Sequence, residues 1–417
     1  MKQETQETQE TQEITKFTSY QIFVIIILAL LQFTVVIDFS VISPLGDMLM
    51  KRLMINTEQL GLLVSCYAFG AGISGILVAT FADKFDRKKI LLFFYIGFLV
   101  STFLCGLFHH YTLLLIGRSI AGLFGGVISS ISFAIISDLF AFNQRGRVMS
   151  FIHMSFAGAQ ILGIPVGIFL ANKWGWNSTF IMIGCLATAI WLVILFKMKP
   201  IDAHLKLQTK ENILSHFWRI ISNKNYTLGF IVITMAASGG SMLMPFSSAF
   251  LINNVGITQE QLPFIFMFTG MVAVVTFPLV GKLSDKMDKF KIFLVGSIIS
   301  ITMTLIYTNL VPSPLWAVII INIVMFAGIN SRMVPAMALN TAIPDPKDRG
   351  SYMSLCSSLQ QMSNGIASLA AGLIIYQHTK TSPIEHYNTL GFIVASLSFI
   401  CILLIYRINN IVKNKAE

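Results

Sequence analysis

Charge is what this sequence has least of. Asp, Glu, Lys and Arg make up 12% of its 417 residues, about half the share found in an ordinary soluble domain. That supply cannot cover a water-facing surface, which excludes a soluble globular protein. Cysteine is scarce as well. Cys66, Cys105, Cys185, Cys356 and Cys401 are odd in number and all lie inside apolar stretches, so a disulfide scaffold and a cysteine metal site are excluded. The opening "MKQETQETQETQEITK" has neither the basic start nor the small-residue cleavage site of a signal peptide, and the first apolar stretch is expected to be retained. Polar, acidic and repetitive, residues 1–19 cannot bury a core and are expected to form a disordered tail.

What is abundant is apolar sequence, at 55%. A hydrocarbon core about 30 Å thick needs roughly 20 apolar residues per helix. Twelve such runs lie near 21–43, 58–80, 90–108, 112–139, 148–172, 176–196, 226–251, 261–281, 291–310, 315–341, 350–376 and 388–406. They are too long for spanning strands and do not alternate apolar with polar residues. The fold class expected is an all-α polytopic membrane protein with twelve transmembrane helices. Lys and Arg (29) outnumber Asp and Glu (19), but their placement speaks for orientation rather than for a nucleic-acid partner. With the N-terminus inside, only Lys51, Arg52, Lys173 and Lys380 fall on the outer connections, and only Arg118 and Arg332 within runs. This positive-inside pattern puts both termini in the cytoplasm of a cell (inner or plasma) membrane. The bilayer and a small-molecule substrate are the expected partners, and a monomer the expected state.

The chain also repeats itself. "ATFADKFDRKKI" (79–90) recurs as "GKLSDKMDKFKI" (281–292), and "RGRVMSF" (145–151) as "RGSYMSL" (349–355), each about half the chain later. Two six-helix, pseudo-symmetric bundles follow, 20–196 and 226–410, joined by a cytoplasmic linker at 197–225 and followed by a short tail at 411–417. Leu214, Phe217, Trp218 and Ile221 are spaced for a linker helix lying on the lipid interface. A parallel repeat of this kind is a transporter architecture, with substrate handled between the halves.

The loop after span 2 resembles the signature loop of the major facilitator superfamily, a Gly-x-x-x-Asp-Arg-x-Gly-Arg-Arg type segment. Asp83, Arg87 and Lys88 fit it; Lys84 replaces an arginine, and Ala79 and Asp86 stand where glycines are usual. The second half keeps Gly281, Asp285 and Lys289, with Asp288 again in place of glycine. The resemblance implies a major facilitator fold in which Asp83 and Asp285 brace a cytoplasmic gate, with Arg145 and Arg349 as partners. "LIGRSIAGLFGG" (115–126) is similar to the span 4 motif of drug:proton antiporters through Arg118 and Gly122. "FAGAQILGIPVG" (156–167) resembles their span 5 motif through Gly158, Gly163 and Gly167, with Pro165 one place late and Ile168 for a final glycine. The stretch "GIPVGIFLANKWGWNSTF" also looks like sugar-efflux permeases. The same glycines permit close helix packing in any membrane protein.

Within "LQFTVVIDFSVISPL" (31–45), Asp38 is the one acid well inside a run. Such a residue costs about 2.5–3.5 kcal/mol on insertion scales, and embedded acids mark proton or ion routes. At about 1.5 Å per residue, Asp38 lies roughly 26 Å from the start of span 1 and Arg118 roughly 9 Å from the outer start of span 4. In a core about 30 Å thick the two differ in depth by about 5 Å. A carboxylate in low dielectric holds its proton more tightly, and a nearby guanidinium loosens it. Asp38 is therefore the expected carrier of a coupling proton, tuned by Arg118. Two other readings stand beside it: a permanent structural ion pair, and direct binding of a cationic substrate. The proton apart, no cofactor and no metal is expected.

Span 11 carries Ser354, Ser357, Gln361, Asn364 and Ser368 on one helix face, and lipid cannot satisfy such groups. With Thr34, Gln160, Ser238, Asn330 and Arg332 they are candidates for a substrate cavity. An embedded Arg332 needs an anion or a wet cavity, and could meet a substrate carboxylate or phosphate. The function expected is proton-coupled efflux of small, drug-like or lipophilic molecules, with sugar or metabolite efflux as the alternative. A membrane enzyme or lipid scramblase is the rival from another class, but no ligand-spaced cluster, phosphate loop or nucleophile with a base is found.

Overall fold

The computed structural model describes residues 17–81, 85–140, 142–202, 220–345 and 348–416. Asp83, much of the tail at 1–19 and much of the linker at 197–225 lie outside these residues, as do the side chains of Asp285 and Arg349.

Pro44 explains the form of span 1. Without an N–H it cannot bond to the carbonyl of Ser40, and the helix Ser19–Ser40 gives way at Val41 to a second segment, Ile42–Arg52. The sequence reading stopped this span at residue 43; the chain continues as helix, so Lys51 and Arg52 sit in its last turn instead of a loop. Span 7 breaks at the repeat-related place. Its helix Lys224–Leu243 passes through a 3₁₀ turn at Met244–Phe246, containing Pro245, into Ser247–Asn253. Span 5 (Phe142–Gly158, continued by Ile164–Trp174) carries a π turn at Ala159–Gly163 just before Pro165, with the Ile164 N–H reaching back to the Ala159 carbonyl. Such bulges are a known way for a helix to absorb a break in its hydrogen-bond ladder.

The remaining spans are single helices: Thr57–Phe81, Arg87–Leu107, Tyr111–Leu139, Asn177–Lys197, Leu262–Lys286, Lys289–Thr308, Leu315–Ala342, Arg349–Ile374 and Tyr387–Ala416. The last runs on through most of the segment read from sequence as a tail. Among the described residues, eleven spans are long and apolar enough to cross a membrane. The twelfth, span 11 at Arg349–Ile374, has the length, 26 residues, and is too polar. Its stripe of Ser, Gln and Asn is tolerated because the helix is packed between spans 2 and 7 instead of facing lipid.

The cores show how the halves meet. One apolar cluster is shared by both halves and contains Ile42, Leu45 and Leu60 together with Met242, Phe246 and Phe250. It lies toward the end away from the chain termini. Toward the termini the core divides in two. One cluster runs from Val24 to Ile201 within the N-terminal half, and another from Ile220 to Ile408 within the C-terminal half. Hydrogen bonds that join the halves gather at the shared end. Ser43 Oγ donates to the Met244 carbonyl, Thr57 Oγ1 to Ile375 O at 3.0 Å and Ser65 Oγ to Gly365 O at 2.7 Å. Spans 2 and 11 close on each other tightly there, since a Cβ on Gly61 would stand 2.7 Å from the Ser368 carbonyl oxygen.

Candidate functional site

Asp38 and Arg118 meet inside the N-terminal half. Both side chains are fully buried, and Arg118 Nη1 donates to Asp38 Oδ2 at 2.7 Å. The same nitrogen donates to the Asp38 backbone carbonyl at 3.0 Å, so one guanidinium end holds both the carboxylate and its peptide. Thr102 of span 3 donates to Asp38 Oδ1 at 3.4 Å. Tyr67 of span 2 lies flat against the arginine, with its ring centroid 4.3 Å from Cζ. The sequence reading had neither Thr102 nor Tyr67; hydroxyls and rings are common in spans, and nothing in the sequence singles these out. Arg118 Nε, Arg118 Nη2 and the Tyr67 hydroxyl are buried with no hydrogen-bond partner among the described residues.

Small residues make this contact geometrically possible. A Cβ on Gly122 would stand 2.2 Å from the Tyr67 carbonyl oxygen, so glycine there lets spans 2 and 4 approach. The glycines of the antiporter-like segment do the same for span 5 against span 1. Gly158 faces Phe33, Gly163 faces Ile37 and Gly167 faces Val41 and Thr179, which packs span 5 directly beside the Asp38 turn.

The remaining candidates divide. Thr34 is turned into the N-terminal half, where its hydroxyl donates to Leu31 O at 2.8 Å and pairs with Tyr95 Oη at 3.1 Å. Its own helix and span 3 satisfy it, so it is not brought to the polar groups between the halves. Ser238 pairs with Ser363 at 2.7 Å, and Ser241 donates to Asn364 Oδ1 at 2.8 Å. Asn364 donates in turn to Gln361 Oε1 at 3.1 Å. Spans 7 and 11 are thus stitched by a chain of hydroxyls and amides. Gln160 sits against Gly270 of span 8, across the interface between halves. Asn330 donates to Thr276 at 3.1 Å, and buried Arg332 to Ser398 of span 12 at 2.8 Å. Arg332 has no acidic partner among the described residues.

At the end carrying the termini, Arg87 pairs with Asp138 at 3.0 Å, joining spans 3 and 4. Lys88 Nζ donates to Leu195 O, and Arg145 donates to Phe140 O and Ser137 O, closing the end of span 4. Asp86 and Asp288, which stand at the same glycine position of the signature loop in the two halves, are helix N-caps. Each accepts a backbone N–H two residues on, at 2.8 Å, to start spans 3 and 9. Lys289 follows directly in the first turn of span 9.

Asp47 lies beyond the first apolar run at 21–43 and nothing in the sequence singles it out; the helix continues past Pro44 and buries it. At the sealed end its carboxylate accepts from Asn253 at 2.8 Å, from Gln259 at 3.1 Å and from Lys51 at 2.9 Å. Two of those partners belong to the other half.

Comparison with known proteins agrees with this architecture. The chain is 22% identical over 375 residues to the uncharacterized MFS-type transporter YbcL of Bacillus subtilis (strain 168), covering 90% of this chain and 94% of that one. It is 24% identical over 344 residues to the probable sugar efflux transporter of Helicobacter pylori (strain ATCC 700392 / 26695), covering 82% and 85%. The crystal structure of a D-xylose-proton symporter superposes with a TM-score of 0.75 over 93% of this chain and 98% of that one, at 16% identity, which speaks for the fold alone. The family profile described as Major Facilitator Superfamily matches residues 28–338. With that match over most of its length, the chain belongs to the major facilitator superfamily, a family of secondary transporters and not of enzymes.

Proposed function

We propose that the protein exports small organic molecules of drug-like or lipophilic character in exchange for protons, by alternating access, with Asp38 carrying the proton and Arg118 tuning it. The observation that carries this reading is the buried, under-satisfied pair. An ion pair kept only as structure does best when its remaining donors are satisfied. Arg118 keeps Nε and Nη2 unpartnered, which leaves it able to take another acceptor when its contact with Asp38 changes. The glycines of span 5 support the reading by setting a kinked helix against the Asp38 turn.

The placement of Lys and Arg supports cytoplasmic termini. In that orientation the shared core lies at the outer face, which supports reading this conformation as one closed to the outside. Asp83 and Asp285, with Arg145 and Arg349, are then the groups that brace the cytoplasmic side in the opposite state. The Arg87–Asp138 pair, lying within one half, holds spans 3 and 4 together in either.

A second reading, sugar or metabolite efflux, is favoured by a different observation. Arg332 and the Ser241, Asn364 and Gln361 chain offer hydrogen bonds suited to hydroxyl-rich or anionic solutes, and one relative is named for sugar efflux. One experiment addresses both: proteoliposomes holding a pH-sensitive dye, with a panel of lipophilic cations, organic acids and sugars, comparing wild type with Asp38→Asn. The expected outcome is solute-driven proton movement in wild type that the variant loses while still binding the solute. The solute that works chooses between the readings, and normal coupling in the variant would overturn the role of Asp38.

A further inference from the structure

The end of the molecule opposite the termini carries a depression of about 650 Å³ that neither the Asp38 pair nor the span 11 stripe uses. Lys51, Arg52 and Lys173 line it together with Trp174 and Gln259, and no Asp or Glu is in its lining. These are three of the four cations that the sequence sends to the outer connections, so topology does not account for them. Lys51 is shared with Asp47, 2.9 Å away. Lys173 Nζ lies 5.1 Å over the Trp174 ring, and neither Lys173 nor Arg52 has an acidic partner among the described residues. With Lys51 neutralised by Asp47, Arg52 and Lys173 are the cations left in the depression, and an anion there would be favoured by both. An arginine fork with an ammonium group suits the tetrahedral, charged oxygens of a phosphate. Trp174 is 65% exposed, as a ring at the headgroup level of a bilayer would be.

The lining comes from both halves. Lys51 and Arg52 end span 1 and Lys173 ends span 5, while Gln259 belongs to the C-terminal half. Gln259 is tied across the seam twice: its side chain donates to Asp47 at 3.1 Å, and its carbonyl accepts from Asn172 at 3.0 Å. The depression is therefore complete only while this end is sealed. A ligand that binds one conformation better than another shifts the balance toward it by its difference in affinity.

We propose that this depression is a phosphate-recognising site that stabilises the sealed seam, occupied either by the headgroup phosphate of an anionic phospholipid or by free phosphate. It depends on alternating access but not on which residue carries the proton. The test is hydrogen exchange of the seam segments 42–57 and 244–259 in the full-length protein. The protein is held in nanodiscs of phosphatidylcholine, with or without phosphatidylglycerol, and with or without inorganic phosphate at matched ionic strength. The expected result is slower seam exchange with one of the two phosphate sources. An Arg52→Gln/Lys173→Gln variant, altered at exposed positions only and checked for unchanged Tm in phosphatidylcholine, weakens that protection by about tenfold in ligand concentration. Protection by phosphatidylglycerol alone identifies the lipid headgroup, and protection by inorganic phosphate in neutral lipid identifies free phosphate. No protection by either source, or equal protection in the variant, overturns the proposal.

Discussion

Asp38 and Arg118 are each fully buried; Asn at position 38 would keep an acceptor for Arg118, which also holds the backbone carbonyl there, whereas loss of Arg118 removes the carboxylate's charged donor. Replacing Arg118 with Gln strands the carboxylate, at a cost of about 3–5 kcal/mol for a broken buried pair. The expected outcome is a large fall in Tm and yield, with Asp38→Asn in the same chain recovering much of it, since partners in one network are not additive. Tyr67 gives a finer test. Its ring contacts the guanidinium but its hydroxyl has no partner, so Tyr67→Phe should leave Tm unchanged. Tyr67→Ala should cost about 2 kcal/mol or more through the lost cation–π contact and packing. The pair was legible in the sequence because charges inside spans are few and depth can be counted along a helix. Thr34 was not, because a helical hydroxyl can satisfy itself on its own backbone, here Leu31 O, and spacing does not say which side of the helix it occupies.

Helix ends explain what the motif comparison left as mismatches. Asp86 and Asp288 stand where glycine is usual because each caps the helix that follows, a role that a short acceptor side chain fills and alanine cannot. Asp86→Ala should cost about 1 kcal/mol and Asp86→Asn much less, measured by thermal or urea unfolding. Asp86 also accepts from Ile201 N–H at 3.0 Å, which places it at the upper end of that range. At Asp288 the hydrogen bond from the Lys413 ammonium holds the carboxyl below its ordinary range, against a smaller opposing effect of burial. The folded state thus favours the ionised form. Its stabilisation is fully present above the ordinary carboxylate range and is lost as pH falls through the lowered value. Because the pair is partly exposed, Lys413→Gln should reduce this acid sensitivity only slightly. The sequence also gave no sign that helix resumes after Pro44. A proline ends the hydrogen-bond ladder locally, and only packing of Ile42, Leu45 and Leu49 into the shared core shows that the helix starts again.

Across the whole molecule, one apolar core is shared by both halves at the end away from the termini, and toward the termini each half has its own. Which end is closed is a property of one state, and a single sequence serves every state of the cycle, so it could not be read in advance. Asp47 is central to that closure. Removing it leaves Asn253, Gln259 and Lys51 without their shared acceptor, so Asp47→Ala should raise the population open at this end several-fold. Hydrogen exchange in the helix Ile42–Arg52 should then speed up while the Asp38 region is unchanged. The central claim, that Asp38 exchanges a proton for solute, is tested most directly by titrating purified protein with a transported solute in weakly buffered detergent and counting protons. The account predicts up to about one proton released per solute bound in wild type, and none in Asp38→Asn with binding preserved. Equal release from the two proteins would contradict it.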